Sequence, residues 1–377
     1  MIYLIDGNAY VNVAVNVVKK ILFDDKSVRE EYYMKDIFNE GRYILKETSR
    51  IKFRDFCLNY LTSLISPIHN EVDEVHIVFD SKSWRKEYVK NFFKSPDSTT
   101  DTDSEFEYKS GRTSDMIYLF FEYFQSEIQK HLEEKSGINF HSVDGMEGDD
   151  LIALLHEKAN KDVAIYTVDK DMMQLVKNSS NYTFLVMPKM MTKHKKIMYT
   201  EKSTSDQNKV DDFFNLDQTD VSNSLENIIS KFEKKGYKKF DIDPTEELIA
   251  KIFGGDKSDS IPRIHKMTPS KVKKISDYLL EMYPDDLIDR IDNCLNDDSI
   301  LDECVSKMIE INKIKDQDII STLKDHLTLN IRIIRLSTNM IPDDIKNQEY
   351  QALNESVLYK KFNFSKLIEI KNNSVLI

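Results

Sequence analysis

Three short apolar runs that each end in an aspartate are the feature that most limits how this chain can fold. They extend from Ile2 to Asp6, from Val75 to Asp80 and from Val163 to Asp169. Such runs are typical of strands that are buried on both faces. They alternate with longer stretches of helical periodicity, namely Phe53 to Ile65, Met116 to Leu132 and Leu151 to Ala159. The alternation predicts an α/β fold with a mostly parallel, doubly wound sheet flanked by helices.

The 377-residue chain divides into three parts by its composition and periodicity. Residues 1–200 contain all three strand-like runs and are expected to form an α/β core. Residues 201–243 are polar and weakly periodic, which is typical of an insertion or linker, and residues 244–377 are mainly helical in pattern. One apolar run near the end, Leu327 to Leu336, fits either a strand or a helix. The stretch from Ser95 to Glu107 has many acids, Ser and Thr but no base, so we expect it to be mobile.

Charge is distributed unevenly along the chain. Lys and Arg total 53 against 65 Asp and Glu, and this net charge of −12 by itself disfavours a polyanionic partner. One stretch without any acid nevertheless contains the bases Arg263, Lys266, Lys271, Lys273 and Lys274. Since a local basic patch rather than the net charge binds phosphate, this stretch keeps a nucleic-acid partner open.

Cysteine content and hydropathy bear on the compartment. The three cysteines, Cys57, Cys294 and Cys304, form neither a disulfide framework nor the spacing of a zinc site. No basic segment precedes the apolar N-terminus, and no apolar run approaches the roughly 18 residues of a membrane span. We therefore expect a cytoplasmic protein without membrane contact.

Five clusters of acids fall at strand ends, at a helix start and in one Gly-rich turn, and a doubly wound sheet binds its ligands beyond the carboxyl ends of its strands. They are Asp6, Asp80, Glu147-Gly148-Asp149-Asp150, Asp169-Lys170-Asp171 and Gly254-Gly255-Asp256-Lys257-Ser258-Asp259. Clustered carboxylates repel and raise one another's pKa unless cations neutralise them. Oxygen ligands without His or Cys indicate Mg²⁺ or Mn²⁺ rather than zinc. Helix capping explains any single acid equally well, so the specificity lies in the whole set.

Six short segments occur in a fixed order along the chain. They are Leu4-Ile5-Asp6-Gly7-Asn8, Val78-Phe79-Asp80, Tyr108-Lys109-Ser110-Gly111-Arg112, Glu147-Gly148-Asp149-Asp150, Val168-Asp169-Lys170-Asp171-Met172-Met173-Gln174-Leu175 and Gly255-Asp256-Lys257-Ser258-Asp259. Their order and spacing resemble the 5′ nucleases, a family that includes flap endonucleases, the 5′ nuclease domains of bacterial DNA polymerases and phage enzymes. Within it the chain is most similar to the RNase H type of T-even phages, a 5′ to 3′ exonuclease, which a late Ile341-Pro342-Asp343-Asp344 segment also matches. The resemblance implies a PIN-like, Rossmann-like sheet with a helical arch at about residues 81–120 and a mainly helical C-terminal region.

The resemblance implies a centre for two divalent ions, Mg²⁺ or Mn²⁺. The ligands of the first ion would be Asp6, Asp80, Glu147 and Asp149, and those that hold or orient the second would be Asp169, Asp171, Asp256 and Asp259. Asp150 would bridge the ions or cap a helix, while Asp149 and Asp171 would also be catalytic. Two ions about 4 Å apart can activate water and stabilise the leaving 3′ oxygen, which yields a 5′-phosphate and a 3′-hydroxyl.

The family's arch motif matches the segment from Tyr108 to Arg112. The resemblance implies that Lys109 and Arg112 approach the scissile phosphate and act in catalysis. The side chains assigned to nucleic-acid contact in this region are Trp84, Arg85, Lys86 and Tyr108. An aromatic among bases could stack on and clamp a single strand. A solvated helix face with one partly buried tryptophan explains the first three equally well.

Residues 254–280 fall where the family has a helix-turn-helix that grips the duplex backbone and often binds a monovalent ion. The bases assigned to duplex phosphates are Arg263, Lys266, Lys271, Lys273 and Lys274. The usual glycine-rich turn is replaced by Pro262-Arg263-Ile264-His265-Lys266-Met267-Thr268-Pro269, and Ser260 stands where Asn is usual. These departures put a monovalent cation near residues 254–270 in doubt.

Together these features predict a metal-dependent 5′ nuclease, with 5′ to 3′ exonuclease and flap endonuclease activity, that acts in replication. Its expected substrates are DNA flaps and nicked or RNA-primed duplexes. We expect a monomer, with a single-strand-binding protein or a sliding clamp as candidate protein partners. A PIN-type ribonuclease is an alternative, although such enzymes are typically shorter and lack the arch motif and the Gly-Asp-x-x-Asp segment. A catalytically silent nucleic-acid-binding replication protein on the same fold is the other alternative, and loss of ligand acids would indicate it.

Overall fold

A seven-stranded sheet forms the centre of the N-terminal region in the computed structural model. The structure describes residues 1–24, 32–35, 42–93, 117–176, 181–188, 195–199, 218–240, 242–347 and 360–373. The strands in these described ranges are β1 (Ile2–Asp6), β2 (Tyr33–Lys35), β3 (Tyr43–Leu45), β4 (Glu74–Phe79), β5 (Asn139–Ser142), β6 (Val163–Tyr166), β7 (Thr183–Met187), β8 (Lys195–Tyr199) and β9 (Tyr237–Lys239). Strands β2 and β3 form a separate antiparallel pair.

The strand order of the large sheet is β5-β4-β1-β6-β7-β8-β9. All neighbouring strands are parallel except β7 and β8. In the central register Asp6 lies opposite Val78 of β4, and Ile5 lies opposite Tyr166 of β6. The predicted mostly parallel α/β sheet is therefore confirmed. Because β1, β4 and β6 run in the same direction, their carboxyl ends meet at one edge.

Helices cover both faces of this sheet. In the described part of the N-terminal region they are α1 (Gly7–Asp24), α2 (Glu47–Ile65), α3 (Trp84–Phe93), α4 (Tyr118–Tyr123), α5 (Lys130–Ser136), α6 (Gly148–Glu157) and α7 (Gln218–Lys234). A π-helical segment, Phe124–Gln129, joins α4 to α5, and a 3₁₀ helix, Lys170–Leu175, follows β6. Tyr10 and Phe53 belong to the core on one face, whereas Leu151 of α6 belongs to the core on the other.

The C-terminal region is helical. Its helices up to Ile334 form a separate core, whereas its last helix packs in the N-terminal core. Its helices are α8 (Pro244–Gly254), α9 (Pro269–Met282), α10 (Leu287–Asp292), α11 (Ser299–Asn312), α12 (Gln317–Ile334) and α13 (Phe364–Asn372). Helix α8 begins where the Asp243 carboxylate accepts from the backbone N–H of Thr245 at 2.8 Å, with Pro244 at its first position. The apolar run from Leu327 to Leu336, which fitted a strand or a helix, is helical as far as Ile334.

Several expectations concern the connecting segments. The segment 201–243, expected to be an insertion or linker, contributes helix α7 and edge strand β9. Of the expected arch at residues 81–120, the structure describes α3 and the start of α4, while residues 94–116 lie outside the described part. All three cysteines are buried free thiols. No helix within the described ranges is long and apolar enough to cross a membrane.

Candidate metal centre

Acidic side chains follow three neighbouring strands at the carboxyl edge of the sheet. Asp6 is the last residue of β1, Asp80 comes directly after β4, and Asp169 follows β6. Because these strands are adjacent and parallel, the three carboxylates are close enough for their charges to interact. This edge is where the sequence predicted the ligand site.

Hydrogen bonds hold the Asp6 carboxylate in place. Its Oδ1 accepts from the backbone N–H of Ala9 at 2.8 Å, and its Oδ2 accepts from the Thr167 hydroxyl at 2.8 Å. Burial, together with the charges of Asp80 and Asp169, nevertheless raises the pKa of Asp6 to about 7. Two good hydrogen bonds therefore do not compensate for the desolvation of this carboxylate.

Asp80 connects the end of β4 to the start of α6. Its Oδ1 accepts from the backbone N–H of Gly148 at 2.7 Å, and its Oδ2 accepts from the side-chain amide of Asn8. A Cβ atom at position 148 would lie 3.1 Å from Asp80 Oδ1, so this close approach favours glycine. The contact places the first turn of α6 at the carboxyl edge.

The start of α6 contributes three acids, of which Glu147 and Asp149 belong to the strand-end cluster. Glu147 and Asp150 form a capping box, in which each side chain accepts from the other residue's backbone N–H. Burial raises the pKa of Asp149, and the nearby charges of Asp169 and Asp6 raise it further. Glu147 also interacts electrostatically with Asp149. The acids at residues 6, 80, 147, 149 and 169 thus form one cluster.

Asp150 is engaged in a buried ion pair. Arg85 of α3 donates to both of its carboxylate oxygens at 2.7 Å, and Trp84 Nε1 donates to Oδ2 at 2.9 Å. These bonds and the capping box use both oxygens. Of the two roles predicted for Asp150, the cap is present in the structure, and the bridging metal ligand stays a prediction.

The same cluster corrects the predicted nucleic-acid contacts of Trp84 and Arg85. Trp84 is 4% exposed and Arg85 is 2% exposed. Arg85 also donates to Glu147 Oε2 at 3.2 Å and to the carbonyl of Ile333 at 3.1 Å. Arg85 points inward because the buried Asp150 carboxylate requires a hydrogen-bonded cationic partner, and Trp84 adds a neutral donor to the same carboxylate. Lys86, the next residue, is exposed.

A lysine bridges the second group of acids. Asp169 caps the 3₁₀ helix by accepting from the backbone N–H of Asp171 at 2.8 Å. Asp171 forms an ion pair with Lys251 of α8, whose ammonium also lies 2.6 Å from Asp256 Oδ2. Burial and the charge of Asp169 raise the pKa of Asp171, whereas Lys251 opposes that rise. Lys251 therefore supplies the positive charge between Asp171 and Asp256.

A tight turn after α8 presents the last pair of acids. Gly255 has a φ of 73°, and a Cβ atom there would lie 2.6 Å from the carbonyl oxygen of Ile261, so the turn requires glycine. Asp256 Oδ1 accepts from the backbone N–H of Ser258 at 2.8 Å. Asp259 is half-buried in the same turn.

The donor set fits hard divalent cations. The predicted ligands whose charges interact at this edge are Asp6, Asp80, Glu147, Asp149, Asp169, Asp171 and Asp256. Asp259 follows in the same turn as Asp256. In the part of the chain that the structure describes, no three His, Cys, Asp or Glu side chains have the geometry of a metal site. The raised pKa values of Asp6 and Asp149 instead show carboxylates whose charged form lacks compensation. An oxygen-binding cation would supply that compensation.

The predicted basic segment spans the turn between α8 and α9 and the first half of α9. Its exposed bases are Arg263, Lys266, Lys273 and Lys274. Lys271 is half-buried and donates to Asn312 Oδ1 at 2.7 Å, and Lys273 pairs with Asp277 at 3.1 Å. The turn that presents Asp256 therefore leads directly into a basic surface. Tyr108, Lys109 and Arg112 lie outside the described residues.

Sequence reasoning missed Lys251 and Thr167. Thr167 is two residues before Asp169, so its proximity to the acids was a local signal that could have been used. Lys251 lies 80 positions from Asp171 on an amphipathic helix, and nothing in the sequence indicates which element it faces.

Comparison with protein families adds an independent finding. Residues 1–209, more than half of the chain, match the family described as "5′-3′ exonuclease, N-terminal resolvase-like domain". No curated protein sequence matches the chain.

Several solved structures match most of the length of the chain. A bacteriophage T5 5′-exonuclease with bound zinc is 14% identical and has a TM-score of 0.45, with 99% of this chain and 98% of that chain covered. The bacteriophage T5 flap endonuclease in a pseudo-enzyme-product complex with DNA and metal ions is 14% identical at a TM-score of 0.47, with coverage of 98% and 99%. Human GEN1 in complex with Holliday junction DNA is 13% identical at a TM-score of 0.37, with coverage of 99% and 72%. Likeness at this level carries no argument by itself.

Proposed function

Because this chain belongs to the 5′-3′ exonuclease family with an N-terminal resolvase-like domain, we propose that it is a divalent-metal-dependent 5′ nuclease. It hydrolyses phosphodiester bonds of DNA or RNA-primed duplexes and leaves a 5′-phosphate and a 3′-hydroxyl. The observation that carries the proposal is the carboxylate cluster at the sheet edge. Asp6 and Asp149 have raised pKa values there because burial disfavours their charge and neighbouring acids add to the repulsion.

Two groups of residues would hold two Mg²⁺ or Mn²⁺ ions. The first group consists of Asp6, Asp80, Glu147 and Asp149. The second consists of Asp169, Asp171, Asp256 and Asp259. Two bound ions supply Lewis-acid chemistry that activates water and stabilises the leaving 3′ oxygen. All eight donors are carboxylates, which suits hard cations.

The surrounding residues prepare these acids for binding. Ala9 and Thr167 orient both oxygens of Asp6, and the Gly148 backbone orients one oxygen of Asp80. Lys251 neutralises Asp171 and Asp256, and a bound ion would take its place. Fixed orientation lowers the entropic cost of arranging ligands around an ion.

The duplex would bind along the turn between α8 and α9. Arg263 and Lys266 in this turn are exposed, and the same turn carries Asp256. Bases next to the acidic edge would attach phosphates through charge-assisted hydrogen bonds. Lys86 remains a candidate contact on α3. For Lys109 and Arg112 we propose contact with the scissile phosphate, and for Tyr108 contact with a base.

The biological setting that we propose follows from the family. The enzyme would act on flaps, nicked duplexes or RNA-primed duplexes during replication. It would act as a monomer that a single-strand-binding protein or sliding clamp recruits. A chain that binds these substrates but does not cut them would instead be a silent replication protein.

Cleavage of end-labelled substrates tests the proposal. The purified full chain is incubated with flap, nicked and RNA-primed duplexes and with single-stranded RNA, in Mg²⁺ or in excess EDTA. We expect metal-dependent cleavage near the 5′ end of the duplex substrates. Cleavage of single-stranded RNA alone would support the PIN-type ribonuclease, and persistent cleavage in EDTA would exclude the metal centre.

A further inference from the structure

The end of helix α12 contains three buried hydrogen-bonding groups within five residues. The first is the side chain of Asn330, which is 1% exposed. The others are the carbonyl groups of Ile333 and Ile334. The last carbonyls of a helix have no partner within the helix, so other groups must satisfy them when the end is buried. Asn330 and the carbonyl of Ile334 bond directly to segments that carry predicted metal ligands, and the carbonyl of Ile333 is connected to another such segment through Arg85.

Asn330 holds the turn that presents Asp256 and Asp259. Its Nδ2 donates to the carbonyl of Ile252 at 2.8 Å and to that of Pro262 at 3.1 Å. These two carbonyls lie on opposite sides of the turn. The single amide therefore fixes both ends of the loop that contains the two acids.

The carbonyl of Ile333 is bonded to the first turn of α6 through Arg85. Arg85 Nε donates to this carbonyl at 3.1 Å, while the other guanidinium nitrogens pair with Asp150 and Glu147. The guanidinium group is planar and rigid, so the three directions in which it donates hydrogen bonds are fixed relative to one another. The position of Glu147 and its neighbour Asp149 is thereby tied to the end of α12.

The carbonyl of Ile334 is bonded to the 3₁₀ helix that begins after Asp169. Gln174 Nε2 donates to this carbonyl at 3.0 Å, and Gln174 Oε1 accepts from the backbone N–H of Leu336 at 3.0 Å. Arg335 Nη1 also donates to Gln174 Oε1 at 3.3 Å, and Arg335 forms an ion pair with Asp292. Gln174 thus ties the helix that carries Asp171 to the same point.

We propose that the end of α12, residues 330–334, is the frame that sets the spacing of the acid-bearing segments. Asn330, Arg85 and Gln174 are the positioning residues that connect it to them. This inference rests on the proposed metal centre. Loss of such a frame should lower the metal affinity, because an ion binds weakly to ligands that must first move to their correct spacing. It does not act on the chemical step once the ions are bound.

Two variants and a matched control separate this role from general stability. Asn330→Leu and Gln174→Met remove the polar groups and keep side-chain size. The control is Asn139→Leu at the opposite end of the sheet, where Asn139 is 7% exposed and bonds the carbonyls of Val75 at 3.3 Å and Lys360 at 3.4 Å. All three changes leave buried carbonyls unsatisfied, so similar losses of Tm in EDTA are expected.

Calorimetric titration of the full chain with Mn²⁺ is the deciding measurement. We expect Asn330→Leu and Gln174→Met to bind Mn²⁺ about 10-fold to 100-fold more weakly than the native protein, as outer-shell changes do. Asn139→Leu should bind like the native protein. In cleavage assays the half-saturating Mn²⁺ concentration should rise while the rate at saturation stays near native.

Each outcome of the titration has a defined meaning. Equal Mn²⁺ affinity in the two variants and the control overturns the frame, and leaves the proposed nuclease intact. A lowered rate at saturating Mn²⁺ with unchanged affinity also overturns it. If the native protein binds no Mn²⁺, the metal centre fails and the frame fails with it. Should Asn330→Leu not fold, Gln174→Met alone decides.

Discussion

Arg85 and Asp150, which lie 65 positions apart in the sequence, form a buried two-pronged ion pair. Each carboxylate oxygen accepts from a different guanidinium nitrogen at 2.7 Å, and both side chains are almost fully buried. Screening by solvent and salt is weak at such a site. The pair joins α3 to the helix that follows Glu147 and carries Asp149, so it supports the candidate centre.

Breaking this pair should strongly destabilise the protein. Arg85→Met removes the guanidinium partner of the buried Asp150 and Glu147 carboxylates. It should lower the free energy of unfolding by about 3–5 kcal/mol. Urea denaturation in EDTA measures the change. Lys324→Met removes a solvent-accessible pair with Asp302 and serves as the control, for which a far smaller loss is expected. Equal losses in the two variants would show that burial of the Arg85 pair carries no special weight.

Asp149 should be essential for cleavage. Asp149→Asn removes a proposed ligand and should slow single-turnover cleavage by more than the roughly 100-fold typical of outer-shell changes. Substrate affinity should be similar or higher, because a charge that repels phosphate is also removed. The control is Asp144→Asn, since Asp144 is exposed near the same edge and contacts Ser81 Oγ at 3.3 Å. Near-native cleavage by Asp149→Asn would show that Asp149 is misassigned.

The metal-free protein should become less stable as the pH rises from about 4 to about 7, the interval between the ordinary pKa of Asp6, 3.8, and its folded value of about 7. In this interval the folded state binds the proton more tightly than the unfolded state, so stability present at low pH is lost on the way up. Thermal unfolding in EDTA across this range measures the slope. Asp6→Asn should flatten it, while Asp144→Asn should not. A slope that Asp6→Asn leaves unchanged would contradict the assignment.

Lys251 should compete with a divalent ion for Asp171 and Asp256. Lys251→Met leaves these two acids without their cation, so the Tm in EDTA should fall. Binding of Mn²⁺ should tighten by about 10-fold, which corresponds to about 1.4 kcal/mol, because no ammonium has to be displaced. Lys257→Met removes a similar charge from an exposed neighbour of Asp256 and is the control. Weaker Mn²⁺ binding by Lys251→Met would mean that Lys251 orients the acids instead of competing.

Duplex affinity should depend on salt through the exposed bases of the turn between α8 and α9 and of the first half of α9. The double variant Arg263→Ala with Lys274→Ala removes two exposed bases, and should reduce the slope of log affinity against log salt by about one unit for each phosphate that these bases bind. Fluorescence anisotropy with a labelled flap duplex at several salt concentrations measures the slope. Lys366→Ala on α13 is the control, and an unchanged slope in the double variant would leave these bases as ordinary surface.

The sequence alone predicted the sheet and the location of the acids. Apolar runs that end in Asp6, Asp80 and Asp169 specify buried parallel strands, and parallel strands bring their carboxyl ends to one edge. The placement of these acids therefore follows from local pattern plus the rules of sheet topology. The tight turn at Gly255 could also be predicted, because a Gly-Gly-Asp sequence after a helix indicates such a turn.

Only the tertiary structure decided which polar side chains face inward. Arg85 and Lys86 are adjacent bases on one amphipathic helix, yet Arg85 is buried against Asp150 while Lys86 is exposed. Lys251 and Asn330 find their partners 80 and 78 positions away. A polar side chain is stable inside the protein only where a distant element supplies its partner, and sequence periodicity contains no information about that element. Which polar residues contact the acid-bearing segments is thus decided by how the helices pack.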